Sequence, residues 1–212
     1  MQINKIEKIR NRKDIFKVFF DSGENILISA DSIVKFGLKE GADLTDEELK
    51  RISSFDKSGR ACADALALVG KRSYSSKSLY DKLIQKGYDS KDAKAAVGRL
   101  KELNYINDEK FTKIYAQYLK NRGKGEYAIR AELEKHAIDK NTINETLELL
   151  KSEEEPHEQI IAIIKNKFKK FDYKNKNEVR KTAAFFLRRG FSSQTIAKAL
   201  REYKGINLED DI

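Results

Sequence analysis

NYINDEKFTKIYAQYLKNRGKGEYAIRAEL, residues Asn104 to Leu133, decides the fold of this chain, because the sequence on either side carries looser copies of it. Setting Tyr88, Ile138 and Phe191 over one another brings SLYDKLIQKGYDSKDAKAAVGRL, YAIRAELEKHAIDKNTINETLEL and KTAAFFLRRGFSSQTIAKAL into register, at offsets of 50 and 53 residues. Leu83, Leu133 and Phe186 then coincide, as do Ala93, Ile143 and Ile196, and Val97, Leu147 and Leu200. All are apolar and recur at helical spacing, so one buried face is specified three times. Between the paired helices, Gly87 and Gly190 suit the left-handed conformation that closes a helix. Asp89, Asp139 and Ser192 stand where a side-chain oxygen caps the next one. The middle copy has Ala137 at the glycine position, at a cost of about 1–2 kcal/mol if the left-handed geometry is kept there.

A further helix precedes each pair. The first runs from about Ser58 to Val69, with Ala61, Ala65, Leu66 and Leu68 on its apolar face, and ends at Gly70-Lys71-Arg72. The second starts after Asn107 or Asp108, carries Phe111, Ile114, Tyr115, Tyr118 and Leu119, and ends at Asn121-Arg122-Gly123. The third has Pro156 in its first turn and presents Ile160, Ile161, Ile164 and Phe168. The expected fold is mainly α: tandem three-helix repeats over residues 55–104, 105–154 and 155–212, forming an elongated, curved array.

Residues 1–54 read differently. Ile15 to Phe20 and Ile26 to Ile28 follow a strand pattern, with Ile3, Ile6 and Ile9 more loosely so. Asp21-Ser22-Gly23-Glu24-Asn25 is a hairpin turn by composition. A sheet of two or three antiparallel strands is too small to stand alone, so it should pack on Ile33, Val34 and Phe36 of a short helix broken by Gly37 and Gly41. Thr45 and Glu48 form a capping box that opens a linking helix through Leu49 and Ile52.

Net charge is +9 and the isoelectric point is near 9.3, which points to an acidic partner. By segment, residues 1–54 balance, 55–104 carry +5, 105–154 carry −1 and 155–212 carry +5. The lone Cys62 excludes an intramolecular disulfide and is read as core. No apolar run approaches the roughly 18 residues of a membrane span, and the N-terminus lacks a signal-peptide core. A cytoplasmic monomer is expected.

Signals for catalysis are weak. His136 and His157 are the two histidines, with no cluster at metal-ligand spacing, so no metal or cofactor is expected. His136, near a helix end, reads as solvated. Gly123-Lys124-Gly125 is too short for a phosphate loop and reads as a flexible helix connection. The runs Glu153-Glu154-Glu155 and Glu209-Asp210-Asp211 read as solvated. The basic stretches say more. Lys165 to Lys181 has eight positive and two negative residues, with Phe168, Phe171 and Tyr173 interleaved. Cations can meet phosphates while aromatics stack on bases, or the aromatics can be core and the lysines a solvated face. The helical spacing of Phe168 with Ile161 and Ile164 favours core.

With these residues in place, the chain resembles the RecX family of bacterial recombination regulators over about residues 58–205. Tyr105-Ile106-Asn107-Asp108-Glu109-Lys110-Phe111, then Ala116, Tyr118, Arg122, Gly125, Ile129 and Glu132-Leu133, are similar to the family's aromatic-x-x-Asp-x-x-Phe, Arg and Gly-x-x-x-Ile-x-x-Glu-Leu pattern. His136-Ala137 departs from the Lys-Gly common after that Glu-Leu. The resemblance implies a non-enzymatic modulator that lies along the RecA–DNA filament, lowers ATP hydrolysis and strand exchange, and so acts on recombination, DNA repair and the SOS response. Candidate contacts with RecA or DNA are Lys71, Arg72, Arg99, Arg122, Lys124, Arg130, Lys169, Lys170, Arg188 and Arg189. The alternatives are a nucleic-acid-binding helical module that acts without RecA and, more distantly, an enzyme.

Overall fold

The computed structural model describes residues 1–10, 14–153, 155–168 and 171–209. The chain divides into two compact units, Met1–Ile106 and Asn107–Ile212.

The first unit opens with strands β1 (Ile3–Lys8), β2 (Ile15–Phe20) and β3 (Asn25–Ser29), antiparallel in the order β1-β2-β3. Ile3 pairs with Phe20, and Val18 with Ile26. Alternation places Val18, Phe20 and Ile28 on the inner face, where with Ile3 they form a core with Leu38 and Ile52. Helix α1 (Ala30–Phe36) follows, capped by Ser29 and closed by Gly37 at φ 60°. Ile33 and Phe36 pack against this core, as the sequence suggests, but Val34 is 81% exposed.

Helix α2 runs unbroken from Asp46 to Val69 behind the capping box of Thr45 and Glu48. The sequence reading divides this stretch into a linking helix and a repeat helix. The structure has one, because nothing between Leu49 and Ser58 is a strong breaker and both halves have a core to meet. Ile52 serves the sheet, while Ala61 and Ala65 serve the first repeat. Helices α3 (Ser76–Gln85) and α4 (Ser90–Glu102) complete that repeat around Leu79, Leu83, Ala93, Ala96 and Leu100. Cys62 is half-buried against them, whereas Leu66, expected on the apolar face, is 44% exposed.

The second unit holds repeats two and three: α5 (Asp108–Asn121), α6 (Glu126–Lys135) and α7 (Lys140–Glu153), then α8 (Pro156–Lys167), α9 (Lys176–Arg188) and α10 (Ser193–Glu209). Leu133, Ile143 and Leu147 occupy the middle core, and Ile160, Ile164, Phe186, Phe191 and Ile196 the last. Gly87 and Gly190 have φ of 93° and 86°, and Ala137 keeps the same left-handed turn at 54° despite its Cβ. The amide of Thr142 donates to Asp139, and that of Thr195 to Ser192, as the caps require.

Helix α5 turns differently from the expected face. Its buried positions are Thr112, Ala116, Leu119 and Lys120, while Ile114 and Tyr118 are 52% and 49% exposed. Ala116 shares the core with Leu133 and Ile143, and Thr112 is wholly buried with its hydroxyl donating to the Asp108 carbonyl at 2.6 Å.

Candidate partner-binding surface

In the first unit, Lys71 and Arg72 follow the end of α2 at an exposed turn, and the Arg72 guanidinium lies 4.4 Å from the centre of the Tyr74 ring. Arg99, on α4, pairs with Glu102 at 3.2 Å in an exposed contact. Such a contact contributes little to stability.

In the second unit, Phe111, Tyr115, Tyr118 and Arg122 recur along one side of α5. Phe111 stacks on Tyr115 at 5.4 Å and Tyr115 on Tyr118 at 6.1 Å. Arg122 closes the row, its guanidinium 5.6 Å from the Tyr118 ring and donating to the Tyr118 hydroxyl at 3.0 Å. His136 meets Phe111 and Tyr115 edge-on, both at 5.1 Å, so it is part of an aromatic cluster and not merely solvated. Burial, and then the nearby Glu132 carboxylate, push the Tyr115 phenol above its ordinary value. The half-exposed end of this row, Tyr118 with Arg122, is a cation held by an aromatic plane. Its charge is oriented at little further entropy cost on binding.

Arg130 donates to Asn144 at 2.8 Å and lies 3.6 Å from Glu126. Lys124 edges a small cleft of about 40 Å³ lined by Ile129, Leu147, Leu150 and Phe191. Buried Lys120 beside it donates to the Leu150 carbonyl at 2.7 Å.

Arg188 and Arg189 are adjacent yet differently employed. Arg188, in the last turn of α9, is exposed. Arg189 turns inward: one guanidinium nitrogen donates to the carbonyls of Arg122 at 2.8 Å and Gly123 at 3.1 Å, and the group lies 4.7 Å from the Phe185 ring. Gly123-Lys124-Gly125, read as a flexible connection, is thus a close-packed joint.

Lys169 and Lys170 lie outside the described residues. Around them, Phe168 packs on Phe185 and Phe186, and Phe171 on Tyr203. Phe168 and Phe171 are thus half-buried against the third core, and Tyr173 is half-buried as well. Lys165, Lys167, Lys174, Lys176, Arg180 and Lys181 are all exposed. His157 is buried, with Glu202 at 3.1 Å and Glu155 at 3.6 Å, tying α8 to α10. Among the described residues no group of three or more His, Cys, Asp or Glu could hold a metal ion, and no helix is long and apolar enough to cross a membrane.

Residues 61–100 match the family described as RecX, first three-helix domain, and residues 107–147 match RecX, second three-helix domain. Regulatory protein RecX of Bacillus subtilis strain 168 is 30% identical over 212 residues, covering 98% of this chain and 79% of that one. Its namesake from Legionella pneumophila is 32% identical over 145 residues, covering 68% of this chain and 95% of that one. Among solved structures, a crystal structure of regulatory protein RecX aligns with a TM-score of 0.67 at 20% identity, covering 93% of this chain and 98% of that one. The RecX of Lactobacillus salivarius aligns at 0.60 and 23% identity, covering 70% and 97%. At those identities the two structures speak for the fold.

Proposed function

This chain belongs to the RecX family, and from that premise we propose that it regulates a RecA recombinase filament on DNA without catalysing a reaction of its own. Bound to the filament, it lowers DNA-dependent ATP hydrolysis and strand exchange, acting as a cytoplasmic monomer. The observation that carries this reading is near full-length similarity to proteins named as regulatory, with both matched three-helix domains present.

The chemistry of the exposed surface supports it. A filament on DNA offers phosphates and acidic side chains, and the chain offers cations on helical modules. Arg188, Lys71 and Arg99 are exposed, Arg72 and Arg122 are braced by tyrosines, and Lys124 and Arg130 are half-buried. Contacts of this kind steer association and weaken with salt.

The direct test is RecA's ATPase on single-stranded DNA, titrated with this chain. Inhibition that saturates at a fixed ratio of chain to RecA is expected; an unchanged rate with confirmed binding would remove the inhibitory role. The exposed cations of Lys165–Lys181 favour a second reading, a nucleic-acid-binding module acting independently of RecA. Affinity for bare DNA equal to affinity for the filament would select it.

A further inference from the structure

We propose that repeats two and three fold and open as a single body, latched at Arg189, because the carboxyl end of α9 serves as the amino-terminal cap of α6. A helix begins with amides that lack partners in their own helix, and α3 and α6 meet this need differently. Register places Ser75 and Gly125 at the same position. Ser75 caps α3 within its own repeat, its hydroxyl accepting from the Ser78 amide at 3.1 Å. Gly125 makes no side-chain cap for α6. Instead, its amide donates to the Arg189 carbonyl at 2.8 Å, and that of Tyr127 to the Gly190 carbonyl at 3.0 Å. The positive end of one helix therefore meets the negative end of another across repeats.

The approach is close enough to require glycine on both sides. A Cβ on Gly125 would lie 2.5 Å from the Gly190 oxygen, and one on Gly190 2.3 Å from the Ala128 nitrogen. These neighbours are backbone atoms and cannot swing aside. The carboxyl end of α5 reaches the same place, so two helix ends of negative polarity converge. Arg189 supplies the compensating charge through its bonds to the Arg122 and Gly123 carbonyls. Across the joint, Gln159 on α8 donates to the Lys120 carbonyl at 2.6 Å. The two repeats are thereby bound through main chain, and neither can open at this point without uncapping the other. Because the Arg122 carbonyl is one of the latch points, the place of Arg122 beside Tyr118 is fixed from the third repeat. The inference stands whatever the partner proves to be.

Native-state hydrogen exchange on the full chain tests it. In Arg189→Ala, the amides of Gly125, Tyr127, α9 and α10 should all exchange faster by one common factor of at least about tenfold, while Leu79 and Leu83 in repeat one stay unchanged. Gly190→Ala with Gly87→Ala as control separates the joint from simple backbone strain, since both glycines are left-handed but Gly87 has open space where a Cβ would go. Gly190→Ala should expose Tyr127 to exchange, whereas Gly87→Ala should affect only repeat one. If Gly190→Ala unfolds the third repeat outright, protection at Gly125 and Tyr127 must vanish with it. Wild-type protection there, while α9 and α10 exchange freely, would overturn the proposal, as would unchanged exchange throughout Arg189→Ala.

Discussion

At Leu133 the repeat register and the core agree: the residue is wholly buried, as its coincidence with Leu83 and Phe186 requires. Leu133→Ala should destabilise the second unit by about 2–5 kcal/mol through lost transfer energy and the cavity left behind. Lys124→Ala, at the rim of the same repeat, should change little. Equal denaturant midpoints for the two variants would remove the core assignment. Tyr88 carries a different signature. It is packed against the first repeat and donates its hydroxyl to Asp64 at 3.0 Å. Burial, and next the bond to that carboxylate, push its phenol up to about 12. Above the ordinary tyrosine value of about 10, the unfolded chain gives up a proton that the folded chain keeps. The stability from this group is therefore fully present below that value and lost as pH rises through the folded one. Tyr88→Phe should flatten part of the alkaline decline in denaturant midpoint, and parallel profiles for the two proteins would count against it.

At the level of elements, the readable features were those fixed by short-range chemistry. The Thr45–Glu48 box, the left-handed glycines, Pro156 at a helix start and the Asp89 and Asp139 caps depend on a few adjacent atoms, and all appear where the sequence places them. The orientation of α5 was not legible. Periodicity marks a helix, but the choice between the side of Ala116 and the side of Ile114 depends on which neighbour approaches and how closely. Nor could spacing reveal that Arg189 is spent inside the chain, since its acceptors lie 66 and 67 residues away. Asp56 has a role hidden from spacing in the same way, its donor partners Ser29 and Ser32 lying 27 and 24 residues away. It is 1% exposed, accepts from the Ser29 amide at 2.6 Å and the Ser32 hydroxyl at 3.0 Å, and pairs with Arg60 at 2.8 Å. It ties the β3–α1 corner to the middle of α2. Asp56→Ala leaves several donors without a partner and should cost about 3–5 kcal/mol, read as a lower denaturant midpoint of unfolding. A loss under about 1 kcal/mol, the size of an exposed ion pair, would mean this corner is held by apolar contacts alone.

For the whole molecule, the surplus of positive charge matters only where it is free to meet a partner, and the Arg188-Arg189 pair shows how to test that. Reversing both residues would confound binding with folding, because Arg189 holds the α5–α9 joint. Arg188 is exposed in the last turn of α9, so Arg188→Glu changes the surface with a helix-dipole penalty of up to about 1 kcal/mol. Circular dichroism should show an unchanged helix content and a small shift in melting. If this side chain faces the filament, one favourable charge term becomes repulsive. More of the variant is then needed for half-inhibition of RecA's ATPase, and its affinity falls less steeply as salt rises, because fewer charge contacts remain to be screened. Arg189→Glu should instead lose melting temperature first, with inhibition falling only in proportion to the folded fraction. A folded Arg188→Glu chain that inhibits at wild-type concentrations, with the wild-type salt slope, would move the contact surface to Arg99, Arg122, Lys124 and Arg130, of which Arg99, in the first repeat, allows the same reversal without touching the joint.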